Sequence, residues 1–146
     1  MIVGKKCREF FDTNVIVYSH DNVSIGKRDK ARQLIESAFI SGLGVVSGQV
    51  LGEAFVTLTK KIGVEPDAAA KEISQYAAGF KVVEISSSLV MRAIQVKADC
   101  QLSYWDALII AAAEAASCET VWSEDLNDGQ VYGEVTVRNP FAKELT

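Results

Sequence analysis

Four acidic residues in this 146-residue sequence sit beside strongly apolar segments: Asp12, Glu53, Asp106 and Asp125. Asp12 follows Phe10-Phe11, and Glu53 lies among Val50, Leu51, Ala54 and Phe55. Asp106 opens the run Ala107 to Ala113, and Asp125 comes shortly after Thr120-Val121-Trp122. Carboxylates brought together repel one another unless a cation neutralises them. Oxygen ligands with few nitrogen partners favour Mg²⁺ or Mn²⁺ over zinc. The single histidine, His20, excludes a multi-histidine metal site but leaves a carboxylate site open. Cys7, Cys100 and Cys118 form no close pair and no zinc spacing, and their odd number argues against a disulfide framework.

Each acid also has a structural reading. Asp12 suits a helix N-cap. Ser103-Tyr104-Trp105-Asp106 fits a capping box, and Glu53 sits at the edge of an apolar stripe where a solvated Glu is ordinary. Asp125 and Asp128 belong to Ser-Glu-Asp-Leu-Asn-Asp-Gly, which reads equally as a turn.

The elements that must position these acids follow from periodicity. Cys7 to Phe11 reads as a short strand leading into a turn or helix start at Asp12. Lys30 to Ser41 carries Ala31, Leu34, Ile35, Ala38 and Phe39 at helical spacing, and Gly42 stops it. Val45-Val46-Ser47 is a buried-strand candidate, followed by an amphipathic helix from Val50 to Ile62 that Gly63 closes. Pro66 opens a helix that ends at Gly79, since its missing N–H is harmless in a first turn. Lys81 to Ile85 predicts a strand, Leu89 to Cys100 a helix, and Ser103 to Ser117 a helix apolar nearly all round and therefore buried. Thr120 to Trp122 and Glu134 to Val137 complete the strands. This alternation predicts an α/β fold with a parallel sheet covered on both faces. The carboxyl ends of parallel strands share one edge, where ligands bind.

Hydrophobic residues at 49% and charged residues at 23% exclude a disordered or collagenous chain, and the length suits one domain over residues 1–146. The longest nearly apolar stretch, Ala107 to Ala116, is interrupted by Glu114 and is too short for a membrane span. No signal-peptide apolar region follows Met1, so a reducing cytoplasmic location is expected. The net charge of −4 argues against coating nucleic acid through bulk charge, but not against acids concentrated at one spot.

Four blocks carry a family resemblance: Phe11-Asp12-Thr13-Asn14-Val15, Ser47 to Glu53, Ser103-Tyr104-Trp105-Asp106-Ala107-Leu108-Ile109, and Trp122 to Gly129. In this order they resemble PIN-domain ribonucleases, in particular the VapC-type toxin branch. The likeness spans about residues 8 to 141, where the closing Val137-Arg138-Asn139-Pro140-Phe141 resembles the ending of one subgroup. It implies a PIN-like three-layer sandwich with a parallel sheet of four or five strands flanked by helices. It also implies Mg²⁺- or Mn²⁺-dependent endonucleolytic hydrolysis of RNA, leaving 5′-phosphate and 3′-hydroxyl ends. Asp12, Asp106, Glu53 and Asp125 would hold the metal, with Asn14 and Ser123 supporting them; Glu124 and Asp128 compete with Asp125 for the fourth place. A cognate antitoxin and a homodimer are further expectations of the family.

Lys27, Arg28, Lys30 and Arg32, with Lys60-Lys61 as a second small group, could hold RNA phosphates or form a solvated surface. Tyr104 and Trp105 could stack on bases or pack in the protein, and His20 reads as a surface or satisfied histidine. A haloacid-dehalogenase-type phosphatase is disfavoured because Asn14 stands where a second Asp is needed. A response-regulator receiver is disfavoured by the lack of paired acids and of a downstream Lys. The remaining alternatives are a degenerate PIN domain that binds RNA or protein, and a PIN nuclease of RNA processing.

Overall fold

A computed structural model describes residues 7–142. In chain order the elements are β1 (Glu9–Phe11), α1 (Thr13–Tyr18), α2 (Ile25–Ser41), β2 (Gly44–Ser47), α3 (Gly48–Thr57), a π-helical turn (Leu58–Ile62), α4 (Pro66–Gly79) and β3 (Lys81–Val83). Then come α5 (Ser87–Cys100), α6 (Tyr104–Ala115), β4 (Thr120–Trp122), β5 (Val131–Tyr132) and β6 (Val135–Arg138).

The six strands form one sheet in the order β3-β2-β1-β4-β6-β5. The first five are parallel, and only the two-residue edge strand β5 runs antiparallel, against β6. This agrees with the expected parallel sheet flanked by helices. Strand β1 is central because both of its faces are covered: Phe10 and Phe11 are fully buried, as are Val45 and Val46 beside them on β2. Helix α6 packs on β2, β4 and β6 with α5 against it, while α2 and α3 pack on β2 and α4 on β3. Ala107 through Ala113 are all buried, which is the environment that their nearly all-round apolar character predicts. Among the described residues no helix is long and apolar enough to cross a membrane.

Three departures from the sequence pattern have local causes. Helix α2 begins at Ile25, five residues before its apolar stripe; the Asp21 carboxylate accepts the Val23 and Ser24 amides just ahead of this first turn. The helix expected from Val50 to Ile62 is α only to Thr57 and then widens into the π turn, which ends at Gly63 with φ +86°. Strand β5 was not anticipated, because a two-residue edge strand displays no period; its pairing with β6 comes from the turn at Gly133, where φ is +62°.

From β1 the chain builds β2 and β3 to one side, then crosses through α5 and α6 to place β4 on the other. The reversal lies at the carboxyl ends of β1 and β4, the kind of crevice in which open α/β sheets bind ligands.

Candidate active site

Parallel register pairs Phe11 with Trp122, so the next residues, Asp12 and Ser123, emerge side by side from the sheet. The Asp12 amide still donates to the Trp122 carbonyl (3.0 Å) and the Ser123 amide to the Arg138 carbonyl (3.0 Å), which fixes both backbones. Asp12 is the N-cap of α1, where its Oδ1 accepts the Thr13 amide (2.7 Å). Its Oδ2 accepts the Ser123 hydroxyl (2.8 Å), and that hydroxyl oxygen in turn accepts the Asp125 and Leu126 amides (3.2 and 3.4 Å). The cap is therefore real, and it also leaves a nearly buried carboxylate at the crevice.

Asn14, in the first turn of α1, bridges the strand ends. Its Nδ2 donates to Asp125 Oδ2 (3.1 Å) and more weakly to Asp12 Oδ2 (3.4 Å), while its Oδ1 accepts the Glu124 amide (3.1 Å). One amide side chain thus orients two carboxylates.

Ser47, at the end of β2, caps α3 by accepting the Val50 amide (3.3 Å), and the following turn carries Glu53 to the same edge. Ser103 caps α6 by accepting the Asp106 amide (3.1 Å), the N-cap half of the capping-box pattern. Asp106 stays partly exposed and lies near enough to act electrostatically on Glu53.

The electrostatics tie these acids together. Burial pushes the Asp12 carboxyl up from 3.8 to about 6; the Ser123 and Thr13 hydrogen bonds oppose this, and the charges of Asp125 and Glu53 add to it. Glu53 is also raised, first by desolvation and then by Asp106 and Asp125, with Gln49 and Thr13 opposing. Buried Thr13 Oγ1 and Gln49 Oε1 make no hydrogen bond of ordinary geometry, although both side chains stand close enough to Glu53 to act on it.

The remaining acids of the segment turn elsewhere. Glu124 accepts the Tyr18 hydroxyl (2.7 Å) and the Lys27 ammonium (2.6 Å), and Asp128 accepts the Asn139 amide (2.8 Å). Of the three, Asp125 is the one that Asn14 joins to Asp12. The cations of α2 divide as well. Lys27 lies over the Tyr18 and Phe141 rings (4.7 and 5.6 Å), Arg28 pairs with Asp29 (3.2 Å), and Arg32 donates to the Ser19 carbonyl (2.8 Å). Lys30 is exposed. His20 is satisfied by Glu72 (2.6 Å), away from the acids. Tyr104 packs against the core, whereas Trp105 is 64% exposed next to Asp106.

A cleft of about 420 Å³ opens beside the acids, with Asn14, Tyr18 and Asp125 on one side and Glu53, Thr57 and Lys61 on the other. Sequence reasoning missed Thr13 and Gln49; the latter lies four residues before Glu53, a spacing that faces it on a helix.

The PIN domain family model matches residues 10–132. The chain belongs to the PIN domain family. No curated protein matches it significantly in sequence. Among solved structures, this PIN domain is similar to Mycobacterium tuberculosis VapC20, a toxin that cleaves the sarcin–ricin loop. The TM-score is 0.65 at 18% identity, covering 80% of this chain and 89% of that one. It is similar to a chain of a toxin–antitoxin complex from Klebsiella pneumoniae, with a TM-score of 0.67 at 20% identity over 91% and 98% of the two chains. A DNA-bound VapBC from Salmonella typhimurium gives a TM-score of 0.67 at 14% identity, covering 92% and 99%. The fold of this PIN domain is therefore that of the VapC toxins.

The donor chemistry suits a hard divalent cation. The groups at the edge are oxygens, two acids are held above their ordinary pKa by burial and mutual repulsion, and two buried oxygens beside Glu53 lack partners. In the side-chain positions described, however, no three acidic, histidine or cysteine groups among the described residues gather tightly enough to chelate an ion.

Proposed function

We propose that this PIN domain is a divalent-cation-dependent endoribonuclease that serves as the toxin of a toxin–antitoxin pair. The observation that carries the proposal is the electrostatic coupling of Asp12, Glu53, Asp106 and Asp125 at one strand edge. The VapC folds around it supply the biological context.

Asp12, Asp106, Glu53 and Asp125 are the residues that would hold Mg²⁺ or Mn²⁺. When bound, such an ion supplies an activated water and neutralises charge that develops on the phosphoryl oxygens. Asn14 keeps the Asp12 and Asp125 oxygens turned toward the crevice, and Ser123 fixes the Asp12 carboxylate from behind. His20 takes no part, because Glu72 holds it elsewhere. A cognate antitoxin would cover the acidic edge, and the protein would act in the cytoplasm, where its RNA is.

The test is cleavage of a panel of structured RNAs by purified, antitoxin-free protein with Mg²⁺ or Mn²⁺, with EDTA, and with Asp12→Asn as contamination control. Metal-dependent cuts absent from the variant are expected. Light scattering on the same preparation checks the expected homodimer. The open spacing of the acids favours one second reading, a binding module without catalysis. RNA binding with neither cleavage nor Mn²⁺ binding would select it.

A further inference from the structure

The acidic cleft repels the polyanion that the nuclease reading sends into it, so a cation must receive the RNA backbone beside the acids. We propose that Lys61 is that cation, and that the π-helical turn puts it there. The inference rests on the nuclease reading and names a substrate-binding residue for the same site.

Lys61 lines the cleft together with Glu53 and Thr57, whereas the adjacent Lys60 does not. The helix phase explains the difference. At 3.6 residues per turn, the residue seven positions after Glu53 completes about two turns and stands above it. In an uninterrupted α-helix that residue is Lys60. A π turn closes its hydrogen bonds one residue later than an α turn, so the face that Lys60 would have taken passes to Lys61. Gly63 in the left-handed region then ends the turn, and the Val64 amide donates to the Leu58 carbonyl (2.9 Å). π insertions recur at functional sites for this reason: they re-aim one side chain while the rest of the helix keeps its packing.

Availability separates Lys61 from Lys27, Arg28 and Arg32 of α2, and position separates it from exposed Lys30, which does not line the cleft. Lys27 is clamped by Glu124, Arg28 by Asp29, and Arg32 by a backbone carbonyl. The Lys61 ammonium makes no ion pair or hydrogen bond with any other described residue. An ammonium is a compact point charge on a flexible stem, suited to a phosphate oxygen that moves with the chain. Both lysines also lie in the last turn, where positive charge complements the helix dipole. That role is common to the pair and would not distinguish them.

The experiment therefore uses one lysine as control for the other. In the Asp12→Asn background, fluorescent single-stranded RNA of mixed sequence is titrated over a salt series with wild-type Lys61, Lys61→Ala, Lys61→Arg and Lys60→Ala. Lys61→Ala is expected to weaken binding about tenfold at low salt and to reduce the salt slope by about one, as loss of one phosphate contact does. Lys61→Arg should recover most of both, and Lys60→Ala should stay within about twofold. In the cleaving enzyme, Lys61→Ala should raise KM and leave kcat nearly unchanged. Equal losses at Lys60 and Lys61, or no loss at Lys61, overturn the inference alone when wild type binds and cuts RNA. A wild type that neither binds nor cuts overturns the nuclease reading and this inference with it.

Discussion

Asp12 and Glu124 follow the neighbouring strands β1 and β4, yet they experience opposite fields. Asp12 is nearly buried among other acids, and burial lifts its carboxyl to about 6. Partial burial also pushes the Glu124 carboxyl up, but hydrogen bonds from Lys27 and Tyr18 outweigh it and hold the group below its ordinary value. Two carboxylates that follow adjacent strands thus meet different surroundings. Glu124 has its cation within the protein and ties α1, α2 and the segment after β4 together. Among the described residues, Asp12, Glu53, Asp106 and Asp125 pair with no lysine or arginine, which is why the proposal assigns them to a cation from outside. A carboxylate's neighbours, rather than its position after a strand, decide which role it takes.

The contrast is broken most severely by neutralising the cation-seeking side. Asp12→Asn and Asp106→Asn should each reduce RNA cleavage by at least about a thousandfold while the fold survives, since each removes repulsion along with a ligand. Circular dichroism and single-turnover cleavage would check this, and full activity in both variants would end the four-acid mechanism.

Asp12→Asn should also stabilise the metal-free protein. The folded-state pKa of about 6 exceeds the unfolded value near 3.8, so the folded protein favours the protonated carboxyl. That favourable contribution is complete below about pH 4 and is lost as pH rises through about 6. Above pH 6 the uncharged variant should therefore be more stable than wild type by on the order of 2–3 kcal/mol, with the advantage vanishing below about pH 4. Urea titrations in EDTA at pH 7.5 and pH 4 measure the difference. A wild type that is equally stable at both pH values relative to the variant would remove the stored repulsion.

Asn14 links the two kinds of acid, because it orients Asp12 and Asp125 and accepts the amide of Glu124. Asn14→Ala should weaken Mn²⁺ binding or slow cleavage by about 10–100-fold, the usual cost of losing a group that orients ligands. The smallest effect is expected at the clamp. Lys27→Ala or Glu124→Gln should cost under about 1 kcal/mol of stability, since the pair is partly exposed, and should change cleavage only a few-fold. A loss at Glu124 as large as that at Asp125 would mean that Glu124 also serves the metal.

The four acids, their order and their position after strands or in first helical turns were legible because capping and periodicity are local properties. Asp12 and Asp106 both stand at a helix start, as their structural readings expect, and both act electrostatically on a neighbouring acid, which leaves their functional reading to the proposal. The choice among Glu124, Asp125 and Asp128 was not legible. It depends on which side chain meets Asn14, Lys27 or Asn139, and these partners are far away in sequence. The run of cations on α2 displays charge in the sequence but not the partners, two carboxylates and a backbone carbonyl, that engage three of its four members.

By itself, the sequence determined the alternation of strands and helices, the nearly all-round burial of α6 and the acidic residues at the carboxyl ends of β1 and β4. Each follows from the spacing of apolar residues and from side chains that cap the next helix. The tertiary structure alone decided that Asp12 and Ser123 emerge side by side, that Glu124 pairs with Lys27 while Asp125 meets Asn14, and that Lys61 rather than Lys60 lines the cleft. Those outcomes turn on strand order and on a single residue of helix phase. Both are set by packing between distant segments, which a local pattern of apolar and charged residues does not encode.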